Sequence, residues 1–162
     1  MVTVYLGLGS NLGHRQDNLE RALDFLSQRL RMEAVSPIYE TGPVGNADQP
    51  RFLNLACRVN TGLEPAALLT LLKAIESKLG RLPNTSGEPR PIDIDILFYG
   101  EQVIDTPDLA IPHPRLTERA FVLIPLAEIA PELTHPASGK SIKRLREELH
   151  EGTQDIFKWE NG

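Results

Sequence analysis

Pro89-Arg90-Pro91-Ile92-Asp93-Ile94-Asp95-Ile96-Leu97-Phe98-Tyr99 decides how the rest of the chain is read. Its Ile, Leu, Phe and Tyr residues favour a pleated, half-buried surface, so the stretch predicts a β-strand. Side chains alternate between the faces of a strand. Ile92, Ile94, Ile96 and Phe98 are therefore expected on one face, and Asp93, Asp95 and Leu97 on the other. Two residues apart on a strand, Asp93 and Asp95 have Cα atoms about 6.5–7 Å apart. Such a pair converges on one cation or holds two cations about 3.5–4 Å apart. Oxygen-only donors suit Mg²⁺ or Mn²⁺ better than Zn²⁺. The bland alternative is a solvated strand face. Asp is disfavoured in strands, which favours metal chemistry. The Asp-x-Asp pattern alone does not separate kinases from sugar transferases or nucleases.

Upstream, Val2, Val4, Leu6 and Leu8 alternate as a first strand, and Gly9-Ser10-Asn11 is expected to break it. Leu19, Ala22, Leu23, Leu26 and Leu30 recur at helical spacing. Met32 to Thr41 reads as extended, and residues 41–50 as a loop. Phe52 to Thr61 reads as a strand with Leu53, Leu55, Cys57 and Val59 on one face and Asn54 on the other. Pro65 suits the first turn of a second helix, and Gly80 its end. Leu82 to Glu88 is a second irregular loop before the Asp93 strand. The order strand, helix, strand, strand, helix, strand is the split βαβ arrangement of ferredoxin-like folds, an α+β class with a mainly antiparallel sheet. The tail adds a short strand near Val103-Ile104, a turn at residues 111–114, and helices near 120–129 and 141–149. One domain over residues 1–162 is the simplest organisation.

Composition bounds the function. A chain of 162 residues buries roughly 70% of its unfolded surface and needs no covalent staple. A lone cysteine, Cys57, excludes an internal disulfide and a thiolate zinc cluster. With no leader-like N-terminus and no long apolar run, a cytoplasmic protein without a membrane partner is expected. A net charge of −5 argues against a general nucleic-acid binder. Lys140, Lys143, Arg144 and Arg146 share their stretch with Glu147, Glu148 and Glu151 and read as a solvated helix face. His14, His135 and His150 are expected at the surface.

Arg81 and Arg90 bracket the second loop, and Arg119 follows His113. Guanidinium groups offer forked donors that suit polyphosphate. Each arginine singly also reads as a surface or capping residue. His113, between two prolines, either donates to a phosphate or closes the turn. The amide of Asn54 can donate to and accept from a heterocycle. Phe52, on the same face, either stacks on a flat ring or belongs to the core. No P-loop and no kinase signature is present.

Taken in order, Gly9-Ser10-Asn11-Leu12, Tyr39-Glu40-Thr41-Gly42-Pro43, Asp48 to Asn54, Pro89 to Ile96, Ile111-Pro112-His113, Arg119 to Leu123 and Pro125 to Pro131 resemble the 6-hydroxymethyl-7,8-dihydropterin pyrophosphokinases of folate biosynthesis. The resemblance implies transfer of pyrophosphate from ATP to the pterin hydroxymethyl group, with release of AMP. It implies two Mg²⁺ ions on Asp93 and Asp95, and a catalytic set of Arg81, Arg90, Asp93 and Asp95. It implies ATP contacts from Glu76, Arg81, Arg90, Ile96, His113 and Arg119. Asn11, Thr41, Pro43, Val44, Phe52, Asn54 and Phe121 would bind the pterin, with both rings flanking it. Small-molecule substrates and no obligate protein partner are implied. One departure stands out: no Arg, Lys or aromatic residue lies between Arg81 and Arg90, and Glu88 replaces the family's usual Gly. Slower turnover or altered nucleotide affinity is the expected consequence, without loss of activity. A binding module that has lost turnover, or a sugar transferase, are the competing readings. The latter normally carries a larger nucleotide domain.

Overall fold

The computed structural model describes residues 1–42, 50–83, 88–149 and 155–160. Its elements run β1 (Val2–Ser10), α1 (Arg15–Arg29), β2 (Arg31–Val35), β3 (Tyr39–Thr41), β4 (Phe52–Thr61), α2 (Pro65–Lys78), β5 (Asp93–Tyr99), β6 (Ile104–Asp105), β7 (Ala110–Ile111), α3 (Ala120–Ile129), α4 (Ile142–Glu147) and β8 (Ile156–Lys158). The main sheet has the order β5-β1-β4-β3-β8, with β2 also on β4, and every pairing is antiparallel. With β2 and β3 counted as one strand, its first four members have the ferredoxin-like order expected from the sequence.

That strand is interrupted at Ser36-Pro37, because proline cannot donate to the ladder. Ser36 bridges the break: its N–H donates to Ala56 O at 2.8 Å, and its hydroxyl accepts from Ala56 N at 2.9 Å. Helix α2 starts on Pro65, and Gly80 follows its end with φ +97°, the left-handed region that glycine tolerates.

Two cores lie on opposite faces of the sheet. Leu6, Leu8, Leu53 and Leu55 pack with Leu19, Leu26, Leu68 and Leu72 from α1 and α2. Ala56, Leu97 and Phe98 pack with Val122, Leu123 and Leu126 of α3 and with Ile142 and Leu145 of α4. Burying each such leucine contributes about 1.5–3 kcal/mol.

Phe98 departs from the alternation expected of it. Tyr5 pairs with Phe98 and Leu6 with Ile96, leaving Leu97 as an extra residue. This bulge turns both Leu97 and Phe98 toward α3 and brings Tyr99 into the α1/α2 core, where Ile92, Ile94 and Ile96 lie as expected. The expected break at Gly9 is also absent, since β1 continues to Ser10. Strand β8 was not anticipated.

His135, expected at the surface, is buried and packs edge-on against Phe98 with ring centroids 5.7 Å apart. Its Nδ1 accepts from Ala137 N at 3.1 Å and Ser138 N at 3.3 Å. Burial lowers its pKa below the ordinary 6.5. The unfolded chain then binds more protons between the lowered value and 6.5, so stability falls as pH drops through that window. Asparagine offers an acceptor at the Nδ1 position and does not titrate. His135→Asn should therefore reduce the loss of Tm between pH 7.5 and pH 5.5. Equal losses in thermal melts of both proteins would refute this.

Candidate active site

Helices α3 and α4 cover only part of their sheet face. The uncovered part is a cavity of about 250 Å³ lined by β1, β3, β4, β5 and the start of α3. Its floor is built from small residues. Across the sheet, Asp93 faces Gly9, which faces Asn54, and Asp95 faces Gly7, which faces Ala56. Glycine on β1 leaves room above the backbone between the carboxylates and the amide. The fit is close at Gly9, where an added Cβ would lie 2.7 Å from Asn54 Oδ1.

On the β5 side, Asp93 is engaged by two arginines. Arg81 Nη1 donates to Asp93 Oδ1 at 2.8 Å, and Arg90 Nη2 lies 3.5 Å from Asp93 Oδ2. Arg81 Nη1 also reaches Glu76 Oε2 at 3.0 Å, and the same oxygen accepts from Ile94 N at 2.8 Å. Among the described residues, Asp95 has neither a hydrogen-bond nor an ion-pair partner. Burial first, then the charges of Asp93 and Glu76, push its carboxyl well above the ordinary range, against the opposing pull of Arg119 and Arg81. Arg119, on the residue before α3, lines the same wall as Arg115. His113 stands beside them, its pKa lowered by burial and Arg119, with Asp93 opposing.

On the β3–β4 side, Asn54 Nδ2 donates to Thr41 Oγ1 at 2.8 Å, which fixes the amide's orientation. The Arg90 guanidinium lies 5.1 Å from the Phe52 ring, and Arg119 lies 5.5 Å from Phe121. Asn11 joins the two sides from beneath. Its Oδ1 accepts from Arg90 N at 2.8 Å, and its Nδ2 donates to Pro50 O at 3.3 Å.

Of the residues singled out from the sequence, Thr41, Phe52, Asn54, Arg90, Asp93, Asp95, Arg119 and Phe121 line the cavity. Asn11, Glu76, Arg81, Ile96 and His113 surround it without lining it. Ile96 belongs to the core behind β5. Pro43 and Val44 lie outside the described residues. Gly7, Gly9, Ala56, Leu97, Arg115 and Val122 line the cavity without having been singled out. The alternation Leu6-Gly7-Leu8-Gly9 is the signal that finds the first two, because glycine in a strand marks close approach.

A carboxylate pair with a cationic wall at one end of a cavity, and an amide with two aromatic rings at the other, form a site for joining a polyanion to a flat polar ring. The chain belongs to the 7,8-dihydro-6-hydroxymethylpterin-pyrophosphokinase (HPPK) family, whose sequence model matches residues 5–131. It is similar to the 2-amino-4-hydroxy-6-hydroxymethyldihydropteridine pyrophosphokinase of Pseudomonas aeruginosa, at 46% identity over 144 residues, covering 88% of each chain. The enzyme of the same name from Aquifex aeolicus is 42% identical over 148 residues, covering 91% of this chain and 92% of that protein. The folic acid synthesis protein fol1 of Pneumocystis carinii is 44% identical over 90% of this chain, which spans only 20% of that longer protein. Among solved structures, Plasmodium falciparum HPPK-DHPS aligns with a TM-score of 0.75 at 19% identity, over 90% of this chain and 43% of that one. That likeness supports the fold.

Proposed function

We propose that the protein transfers the pyrophosphoryl group of ATP to the hydroxymethyl oxygen of 6-hydroxymethyl-7,8-dihydropterin, releasing AMP, as a step of folate synthesis. The observation that carries this reading is the single cavity into which the Asp93/Asp95 pair, the arginine wall and the Asn54 pocket all open, in a chain of this family. A carboxylate pair in the same cavity as the arginine wall favours this reading over a binder without turnover. In this reading the enzyme works in the cytoplasm on small-molecule substrates and needs no protein partner.

Mg²⁺ fits the donor set. The donors are oxygens, and among the described residues Asp95 has no protein cation in contact, while Asp93 and Glu76 crowd it with like charge. Among the described residues, no group of three or more His, Cys, Asp or Glu side chains converges. Two carboxylates completed by water and phosphate oxygens are what Mg²⁺ typically takes. Asp93 and Asp95 would hold two ions. Bound there, Mg²⁺ supplies neutralisation of the polyphosphate charge and acidification of a coordinated oxygen.

The remaining work falls to the chain's own residues. Arg90, His113 and Arg119 grip the phosphates, and Arg81 keeps Asp93 in place from behind. Glu76 and Ile96 support the nucleotide side, Glu76 through Arg81 and the Ile94 N–H. Asn54 and Thr41 read the pterin edge, Phe52 and Phe121 flank its ring, and Asn11 keeps Arg90 in register with the acceptor. Pro43 and Val44 complete the pterin side. Catalysis is then mostly positioning and charge stabilisation, as expected for phosphoryl-type transfer. Incubation with ATP, Mg²⁺ and the reduced pterin should yield AMP, and a chelator should stop it. ADP as the nucleotide product would overturn the reading.

A further inference from the structure

The last strand, β8, lies beyond residues 5–131, the part matched by the family. It sits at the opposite edge of the sheet from the Asp93/Asp95 strand. It pairs with β3, Thr41 against Ile156, Glu40 against Phe157 and Tyr39 against Lys158. The ladder extends beyond both ends. Gly42 N donates to Asp155 O at 2.7 Å, and Trp159 N donates to Ile38 O at 2.8 Å. Antiparallel pairs alternate between bonded and non-bonded, so Phe157 N must donate to Glu40 O.

Side chains tie this segment to the start of β4 as well. Arg51 Nη1 meets Asp155 Oδ2 at 2.6 Å, Arg51 Nε meets Glu40 Oε1 at 3.3 Å, and the guanidinium lies 5.1 Å from the Phe157 ring. Arg15 Nη2 holds the other oxygen of Glu40 at 2.9 Å, and Arg15 Nη1 donates to Arg51 O at 3.0 Å. Arg15 in turn stacks on Trp159 at 5.2 Å. Gly42 and Phe52, the two cavity-lining residues that flank residues 43–51, are thus held from outside by one C-terminal segment.

We infer that β8, with the Arg51–Asp155 ion pair, is a positioning element for the acceptor side of the site. It sets affinity for the pterin ring by fixing Thr41, Gly42 and Phe52. This rests on the assignment of Thr41 and Phe52 to the pterin. The sheet order supplies the selectivity. Three strand spacings separate β3 from β5, about 14 Å. A slackened β3 edge therefore reaches the acceptor pocket well before the carboxylate pair. An ion pair as exposed as Arg51–Asp155 adds little to overall stability. Its effect is on geometry.

Steady-state kinetics on the full chain test this with Phe157→Pro, which removes one ladder donor at an exposed position, and Asp155→Asn, which removes the ion pair. Losing one hydrogen bond should raise KM for the pterin about five- to tenfold in Phe157→Pro, and about threefold in Asp155→Asn. KM for ATP and kcat should stay within about twofold, as positioning on one side only requires. Asp155→Glu should recover the pterin KM. If Phe157→Pro does not fold, Asp155→Asn and its Glu partner decide the question alone. An unchanged pterin KM in a wild-type-active background overturns this inference and leaves the function intact. Parallel rises in both KM values with a lower Tm also overturn it, by showing a merely structural strand. Absence of AMP from the wild type overturns the function, and this inference with it.

Discussion

Asp95→Asn is expected to abolish Mg²⁺-dependent turnover, lowering kcat about a thousandfold, while leaving the fold intact. Asp95 lines the cavity with no cation in contact among the described residues, whereas Asp93 is already engaged by Arg81 and Arg90. The amide has nearly the same shape but no charge to place against a divalent ion. It also removes a like charge beside Asp93, so Tm without metal should not fall below that of the wild type. Added Mg²⁺ should raise the Tm of the wild type and not of the variant, since a ligand stabilises the state that binds it. Asp93→Asn should abolish turnover too, and it additionally weakens the contacts that hold Arg81 and Arg90. Near-normal turnover in either variant would remove the metal assignment.

Gly9→Ala should have the next largest effect, on the opposite side of the site. An alanine Cβ would lie 2.7 Å from Asn54 Oδ1 and 3.4 Å from Phe52 Cδ1. Contact at 2.7 Å forces the amide to move, and Asn54 is held by Thr41 at 2.8 Å. The backbone of β1 is extended there, so the substitution itself is compatible with the strand. An ångström of misplacement at a positioning group costs about a hundredfold, so kcat/KM for the pterin should fall by that order. Nucleotide affinity should change little. Gly7→Ala provides the comparison: its Cβ would meet the tip of Leu97 at 3.3 Å, which can give way, so the loss should be far smaller. Wild-type pterin kinetics in Gly9→Ala would show that Asn54 does not read the ring.

Much of this was legible before the structure because it depends on local pattern. The alternation in Pro89 to Tyr99 predicts β5 with its two carboxylates. Pro65 and Gly80 bracket α2, and the apolar run from Ala120 to Ile129 coincides with α3. What escaped depends on partners distant in sequence. The bulge at Leu97 arises only from register against Tyr5 and Leu6, so alternation alone put Phe98 on the wrong face. Strand β8 is three residues long and owes its existence to the edge of β3 and to Arg51. A Gly-Ser-Asn sequence reads as a chain break unless the neighbouring strands that hold it extended are known. His135 looks like a surface polar residue until Phe98 and the turn that satisfies its Nδ1 are placed around it.

The same distinction applies to the site. Carboxylates and arginines announce themselves by charge, and Asn54 by its place opposite Leu53 and Leu55. Arg115 directly follows residues that read as a turn, yet it lines the same cavity as Arg119. The lack of basic residues between Arg81 and Arg90 is accompanied by this additional cation on the wall that Arg119 lines. Residues 84–87 of that loop lie outside the described part of the chain.

The most direct test of the account is the mass of the pterin product formed with ATP and Mg²⁺. Transfer of a pyrophosphoryl group predicts a gain of two phosphoryl units on the hydroxymethyl pterin, with one AMP released per product. A gain of a single phosphoryl unit, with ADP released, would contradict it.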